Sequence, residues 1–394
     1  MDKKRQKELR KAQRIREVRR NIMILCAIAV GCIAVIVVLA VGLRKDKSPK
    51  STQAMAEDNQ TDGGEVSDTS DAPLTIAGRL DGEVDGEKIK ESAPVTLTIS
   101  AAGDCTLGSD VNFDPSTSFV TKYNEVGDPG YFLANVRDIF SADDLTIVNL
   151  EGTLTDGGER ADKTFAFRGD PSYTQILTSG SVEAVNLANN HSKDYGLQSY
   201  EDTISHVESA GITSFGYDRT ALMDIKGVKV GLVGTYVLAE GIESKQGMID
   251  NINSLKEQGA QLIIVSFHWG TEKEYSPDEV QTELAHTAID NGAHLVLGHH
   301  PHVLQGVEKY NGRFIRYSLG NFCFGGNKNP SDKDTMIFQQ TFTIKGEEVV
   351  QDDVVETIPC SLSSSSSMNN YQPTPSEGSE KERIQQKIQE LAIS

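Results

Sequence analysis

Short apolar runs that stop abruptly at a metal-type ligand punctuate this chain. Val95–Ala102 reads as a strand ending in Gly103-Asp104, and Leu145–Leu150 as one ending in Glu151. Val182–Leu187 runs into Asn189-Asn190-His191. Leu262–Phe267 ends in His268, and Leu295–Leu297 leads through Gly298 to His299–His302. In open α/β sheets, sites form outside the carboxyl ends of the strands. One such ending means little, but five in succession point to a metal-dependent site, and to a dinuclear one.

Helical periodicity lies between these runs. It predicts helices at Tyr131–Phe140, Tyr173–Thr178, Leu197–Ala210, Met248–Gln258 and Pro277–Asp290, the last with Ser276 as N-cap and Pro277 at its first position. Val228–Val233 is a further strand. Past residue 302 the pattern changes to hairpins: Val303–Tyr310 with Phe314–Ser318 around Asn311-Gly312, then Met336–Ile344 with Glu348–Ile358 around Lys345-Gly346. Strands alternating with helices, followed by hairpins, predict an α/β (α+β) fold, a mixed sheet or two packed sheets flanked by helices.

The ends differ from this middle. Ile22–Leu43 carries no charge and, at about 1.5 Å per residue, is long enough to cross a bilayer as a helix. Ten Lys and Arg precede residue 21. The positive-inside rule keeps that side cytoplasmic and puts everything after Arg44 outside. The other reading is a cleaved signal peptide, whose apolar core is shorter. The net charge of -19 hides an asymmetry, because residues 1–50 sum to +10 and the remainder to -29. Five segments follow: a basic cytoplasmic segment at 1–21, a transmembrane helix at 22–43, an acidic disordered spacer at 44–93, a folded domain at 94–362, and a low-complexity tail at 363–394 with a short helix. Cys26 and Cys32 fall in the anchor. Cys105, Cys323 and Cys360 lie outside it, an odd number that makes no disulfide framework. Cys105 and Cys323 are either a pair joining two loops or two buried thiols.

Residue chemistry sharpens the site. Asp104 and Glu151 offer the oxygen ligands that hard and borderline cations need, and one carboxylate can bridge two metals. Asn190 offers an amide oxygen. His191 is placed to protonate a leaving group, with Asp194 to orient it. His268 emerges from the most strand-like run of the chain. Gly298-His299-His300-Pro301-His302-Val303 is the strongest single motif, since three imidazoles in four residues are costly unless a partner organises them. Two cations so held would activate water and polarise an acyl or phosphoryl oxygen. The donor set suits Mn, Fe or Zn. Arg168 offers a planar fork for substrate anions, against the plainer reading of a surface salt bridge. His299 and Asn321 are the other expected substrate contacts. His206, His286 and His294 read as ordinary surface or core histidines.

These motifs, in this order, resemble the capsule-synthesis CapA family of poly-γ-glutamate biosynthesis proteins. The resemblance covers about residues 94–345. It rests on Gly103-Asp104 with Gly108, Asn149-Leu150-Glu151, Asn189-Asn190-His191 with Asp194 and Gly196, His268-Trp269-Gly270, the Gly298–Val303 motif and Ser318-Leu319-Gly320-Asn321-Phe322. That family in turn resembles the calcineurin-like metallophosphoesterases, which implies two sheets sandwiched between helices. It also implies that Asp104 and His302 hold the first metal, Glu151 bridges, Asn190, His268 and His300 hold the second, and His191 is the general acid. The metallophosphoesterase pattern has Asp-x-His in its first motif. Here Thr106 stands at the histidine's position, which leaves the first site a ligand poorer.

The resemblance implies an anionic γ-glutamyl polymer and membrane synthase subunits as partners. The competing functions are an extracellular metal-dependent phosphoesterase unrelated to capsule and a non-catalytic export scaffold. No basic patch outside the N-terminal segment suggests nucleic acid.

Overall fold

Strand β1 (Val95–Thr106) changes partner halfway along its length, and that change builds the floor of the site. From Val95 to Ala102 it pairs antiparallel with a long strand late in the chain, and from Asp104 to Thr106 it pairs parallel with a different, shorter one. Gly103 sits at the changeover. A Cβ there would lie 1.9 Å from the Gly320 carbonyl oxygen, so only glycine lets the two backbones come this close.

The structure, a computed structural model, describes residues 93–393. The basic segment, the membrane-anchor expectation at 22–43 and the spacer up to residue 92 lie outside the described residues. Among the described residues no helix is long and apolar enough to cross a membrane.

After β1 come the helices α1 (Phe119–Val126) and α2 (Arg137–Phe140), β2 (Leu145–Leu150), and the short ribbon of β3 (Thr153–Leu154) with β4 (Arg168–Gly169). Then follow α3 (Thr174–Ser179), β5 (Ala184–Asn186), α4 (Leu197–Ser209), β6 (Thr213–Phe215), β7 (Ala221–Ile225) and β8 (Val228–Tyr236). Next are α5 (Lys245–Glu257), β9 (Leu262–His268), α6 (Glu279–Asp290), β10 (Leu295–His299), β11 (Val307–Tyr310) and β12 (Arg313–Arg316). The chain closes with β13 (Asn321–Phe324), β14 (Asp334–Lys345), β15 (Glu348–Ser361), β16 (Thr374–Pro375) and α7 (Gly378–Glu390).

Two sheets result. One runs β16-β15-β14-β1-β2-β5-β6, with β13 beside β1, and the other runs β11-β12-β10-β9-β8-β7. Leu97, Ile99 and Phe338 of the first sheet share one apolar core with Leu232, Ile264 and Leu297 of the second. The outer face of the first sheet is covered by Phe119, Phe132 and Leu177 on the helical side, and that of the second by Met248, Leu255 and Leu284. The molecule is a mixed α/β fold in which two facing sheets lie between helical layers. All of β2 and β9 is buried, which is why those strands read as continuous apolar runs.

Several boundaries move from their sequence expectations. Tyr131–Phe140 is a 3-10 turn at Pro129–Tyr131 and the short α2, because Phe132, Leu133 and Val136 reach the core from irregular backbone. The N-cap of α6 is Asp278, not Ser276. Its carboxylate accepts from Gln281 N while Gln281 returns a bond to the Asp278 backbone. Helix α1 and strand β7, which pairs with the expected strand β8, are additions. The expected tail is part of the body of the domain. Asn369 is buried and donates to the carbonyls of Phe324 and Asn327, and Tyr371 packs against Phe119. Its Ser-rich composition conceals these anchors. Cys105, Cys323 and Cys360 are free and buried, so of the two readings of Cys105 and Cys323 that of two buried thiols holds. Burial pushes the Cys105 thiol up to about 12.

Candidate metal centre

Each strand ending delivers one side chain to a common point. Asp104 is anchored by its N–H, which donates to Gly320 O at 2.9 Å. Its Oδ1 accepts from Asn149 Nδ2 at 2.9 Å, and its Oδ2 from the His300 N–H at 3.3 Å. His302 Nδ1 is 3.4 Å from Oδ2 and His299 Nδ1 is 3.3 Å from Oδ1. Burial pushes this carboxyl up, but the two imidazoles outweigh it and hold Asp104 well below the usual carboxylate range.

Glu151 follows β2 and is fully buried, with its N–H on Cys105 O. Neither of its carboxylate oxygens has a hydrogen-bond donor. Oε1 lies 3.7 Å from His191 Nε2 and 4.0 Å from His302 Nε2. Burial pushes this carboxyl up to about 8, and the Asp104 and Asp194 carboxylates push the same way against His302. Ligand atoms of Asp104, Glu151 and His302 all lie within 4.8 Å of one another.

Asn190 and His268 face each other beside this group, with His268 Nε2 2.8 Å from Asn190 Oδ1. The His300 ring is 4.9 Å from that of His268, centre to centre, and 5.6 Å from that of His302. Burial holds the His268 imidazole well below its ordinary range and takes His300 down to about 4, so both stay neutral and able to ligate. His302 goes the other way. Burial would lower it, but Glu151 and Asp104 raise it to about 9. His300 and His302 have φ of 97° and 57°, on either side of Pro301. Left-handed backbone at two non-glycine residues costs roughly 1–3 kcal/mol each and persists where the surroundings demand it.

A buried carboxylate with both oxygens unpartnered is expensive. Nε2 of His299 and Nδ1 of His300 are in the same state. Carboxylate oxygen, amide oxygen and imidazole nitrogen converging on such a point fit a divalent cation. Asp104, Glu151, Asn190, His268, His300 and His302 are the residues that could hold it. Thr106 adds no ligand to the Asp104 side, and its buried hydroxyl has no hydrogen-bond partner.

His191 stands at the rim. Its Nδ1 is 2.6 Å from Asp194 Oδ2, and its ring packs 4.4 Å from Phe167. Burial lowers this imidazole and the Asp194 carboxylate partly restores it. Lys163, which sequence reasoning missed, donates to Asp194 Oδ1 at 2.7 Å and to the Asn190 carbonyl at 2.9 Å. It lies on an irregular loop whose composition carries no periodic signal. Asn149 was also missed as a site residue. It links Asp104 to Asn186 and Asn189, both of which donate to its Oδ1.

The three expected substrate contacts separate. Asn321 lines the mouth, a hollow of about 220 Å³ that it shares with His191, His302, Phe165 and Lys273. It also fixes His302, whose Nδ1 lies 2.8 Å from Asn321 Oδ1. His299 is 1 % exposed and sits behind Asp104, because β10 continues through it and pairs it with His268. It is a buried neighbour of the centre rather than a surface for substrate. Arg168 lines a separate cavity, with Ser109, Asp170 and Tyr173.

The sequence profile described as "Bacterial capsule synthesis protein PGA_cap" matches residues 98–326, which include every residue of this centre. The chain is 30 % identical over 265 residues to the PGA biosynthesis protein CapA of Bacillus subtilis, covering 62 % of this chain and 67 % of that protein. It is 27 % identical over 262 residues to the capsule biosynthesis protein CapA of Bacillus anthracis, covering 60 % and 62 % respectively. The match thus spans about two thirds of the length of these relatives. Among solved structures, a hypothetical protein from Thermus thermophilus is similar at 14 % identity and a TM-score of 0.40, over 67 % of this chain and 98 % of that one. The profile match covers more than half of the chain, and the chain belongs to the bacterial capsule synthesis protein family.

Proposed function

We propose that this chain is a membrane-anchored accessory protein of poly-γ-glutamate capsule synthesis, and that its domain carries a metal-dependent hydrolase-like site acting on the polymer outside the cell. The family supports the capsule role. The charge pattern around Ile22–Leu43 supports the anchor and the outward domain. The observation that carries the hydrolytic reading is Glu151, whose two oxygens are unpartnered and whose Oε1 lies 3.7 Å from Nε2 of the His191 that Asp194 orients.

When bound, divalent cations supply Lewis acidity to the scissile group. The protein's own residues do the rest. Asp194 accepts the Nδ1 proton of His191 and so fixes which ring nitrogen faces the centre. Nε2 then points inward beside Glu151 and carries a proton for a leaving group in the imidazolium form, which the Asp194 carboxylate favours against burial. Lys163 pins the carboxylate that orients this ring. Phe165 and Phe167 line the mouth and limit the entry of water. Membrane synthase subunits are the partners this reading requires.

The test is metal content by mass spectrometry on the full chain, wild type beside His300→Ala with His302→Ala, followed by turnover of γ-glutamyl oligomers and a simple phosphodiester. Cation bound by the wild type and lost from the variant, with cleavage of the oligomers, is the expected outcome. Cleavage of the phosphodiester alone would favour a phosphoesterase unrelated to capsule. No cation after reloading with Mn, Fe and Zn would leave a polymer-export scaffold.

A further inference from the structure

The largest cavity described, about 660 Å³, lies beside the metal centre's mouth and is not part of it. It is bordered by Arg168, Ser109, Tyr123, Tyr173 and Asp170. Arg168 is held rigidly here. Its backbone exchanges hydrogen bonds with Ser109 on one side and pairs with Thr153 on the other, and its guanidinium stacks 4.5 Å from the centre of the Tyr195 ring. Among the described residues no carboxylate pairs with that guanidinium. The acids nearby are engaged or open to solvent. Asp110 is taken by Arg160 at 2.6 Å, Asp170 accepts from Ser172, and Asp156 is exposed at the rim.

A second hollow, of about 320 Å³, stands between this cavity and the mouth. Phe113 borders the cavity and that hollow, and Phe165 borders the hollow and the mouth. Three neighbouring hollows therefore form a row from Arg168 past Phe113 and Phe165 to His191 and His302. A row with Arg168 at its far end and the candidate centre at its near end suits an extended chain better than a small substrate.

We propose that the Arg168 cavity is a distal subsite for a carboxylate of an extended polyanionic chain whose other part lies at the metal centre. A stacked, preordered guanidinium gives a carboxylate two parallel hydrogen bonds, which a lysine at the same place would not. The reading rests on the polymer assignment above, but its test does not depend on turnover.

The experiment measures binding of a fluorescent γ-linked glutamate decamer to the full chain in detergent, for wild type, Arg168→Gln and Arg168→Lys, with metal content and melting temperature measured for each. Both variants are expected to keep the metal content and melting temperature of the wild type. Arg168→Gln should weaken the decamer about tenfold, and Arg168→Lys by an intermediate factor. Wild-type affinity in a correctly folded Arg168→Gln would overturn the subsite. If Gln lowers the melting temperature, the Lys variant decides, and wild-type affinity there overturns the bidentate anchor. A wild type that binds the decamer but no metal would sink the hydrolase reading and leave this one standing. A wild type that binds metal but not the decamer would do the reverse.

Discussion

Lys163 and His191 hold the same carboxylate, one on each of its oxygens. Asp194 Oδ1 takes the Lys163 ammonium at 2.7 Å, and Oδ2 faces His191 Nδ1 at 2.6 Å. The carboxylate is thus fixed before any substrate arrives. Asp194→Asn should lower turnover about a hundredfold, the ordinary weight of one acid–base group, while metal content stays at the wild-type level. Lys163→Met should cost less, about tenfold, because His191 keeps its partner. Paired kcat and metal measurements check both, and loss of metal in Asp194→Asn would mean that the residue holds the ligand loop instead.

Helix α7 lies beyond the part of the chain that matches the family profile, yet it reaches the rim of the mouth. Arg383 grips Asp334 through two bonds at 2.8 and 2.6 Å, and Lys387 bonds Asp332, which itself lines the mouth. Tyr275 donates to the same Asp332 at 2.8 Å. Only Arg383 is half-exposed, and Asp334 is 7 % exposed, so removing both of its partners costs about 3 kcal/mol, less than the stability of an ordinary domain. Arg383→Ala with Lys387→Ala should therefore leave the protein folded. It should speed amide exchange across residues 326–334 and raise the KM for a polymeric substrate several-fold, with kcat on a small substrate unchanged. Unaltered exchange in that loop would refute the link.

Gly103→Ala should be the most damaging small substitution in the domain. The added methyl meets the Gly320 carbonyl and the Leu319 carbonyl oxygen, backbone that no rotamer change moves. Overpacking of this kind costs about 3 kcal/mol, and the shift falls directly beside Asp104. The expected results are a lower melting temperature and weaker metal binding together.

His294 provides a pH test away from the centre. It is neutral in the fold, where burial takes its imidazole down to about 4 and its Nδ1 accepts from Ile263 N at 3.1 Å. Unfolded histidine titrates near about 6.5. Below that value the unfolded chain binds a proton that the folded chain refuses. The contribution is complete above about pH 6.5 and is lost as pH falls toward about 4. The gap is worth at most about 3 kcal/mol, and partial exposure of the ring brings it to about 2. In denaturant titrations His294→Gln should flatten the pH dependence of stability over that window.

The clustering of the candidate ligands was legible because each sits at or just past the end of an apolar run, where sequence and geometry coincide. The strands and most long helices were legible for the same reason, since burial on both faces of β2 and β9 leaves a continuous apolar signature. Lys163, Arg168's separate cavity and the docking of 363–376 were not legible. Each depends on irregular backbone whose position is set by distant partners, and neither periodicity nor composition records that. His299 misled because three adjacent imidazoles look equivalent in a sequence, whereas a strand ending turns one inward and the next outward.

The pairing of β1 with β14 fixes the order in which the protein can be finished. Thr98 and Thr341 touch across 243 positions of chain, while the other neighbour of β1 is made soon after it. During synthesis β1 therefore waits with one edge bare for most of the length of the protein. Bare edges invite pairing with other chains, and distant pairings form slowly. A ribosome that stalls before Asp334 would release a product prone to aggregate and without a settled Asp104. The cell is thus spared a half-built site, at the cost of a nascent chain that needs protection until its last strands emerge.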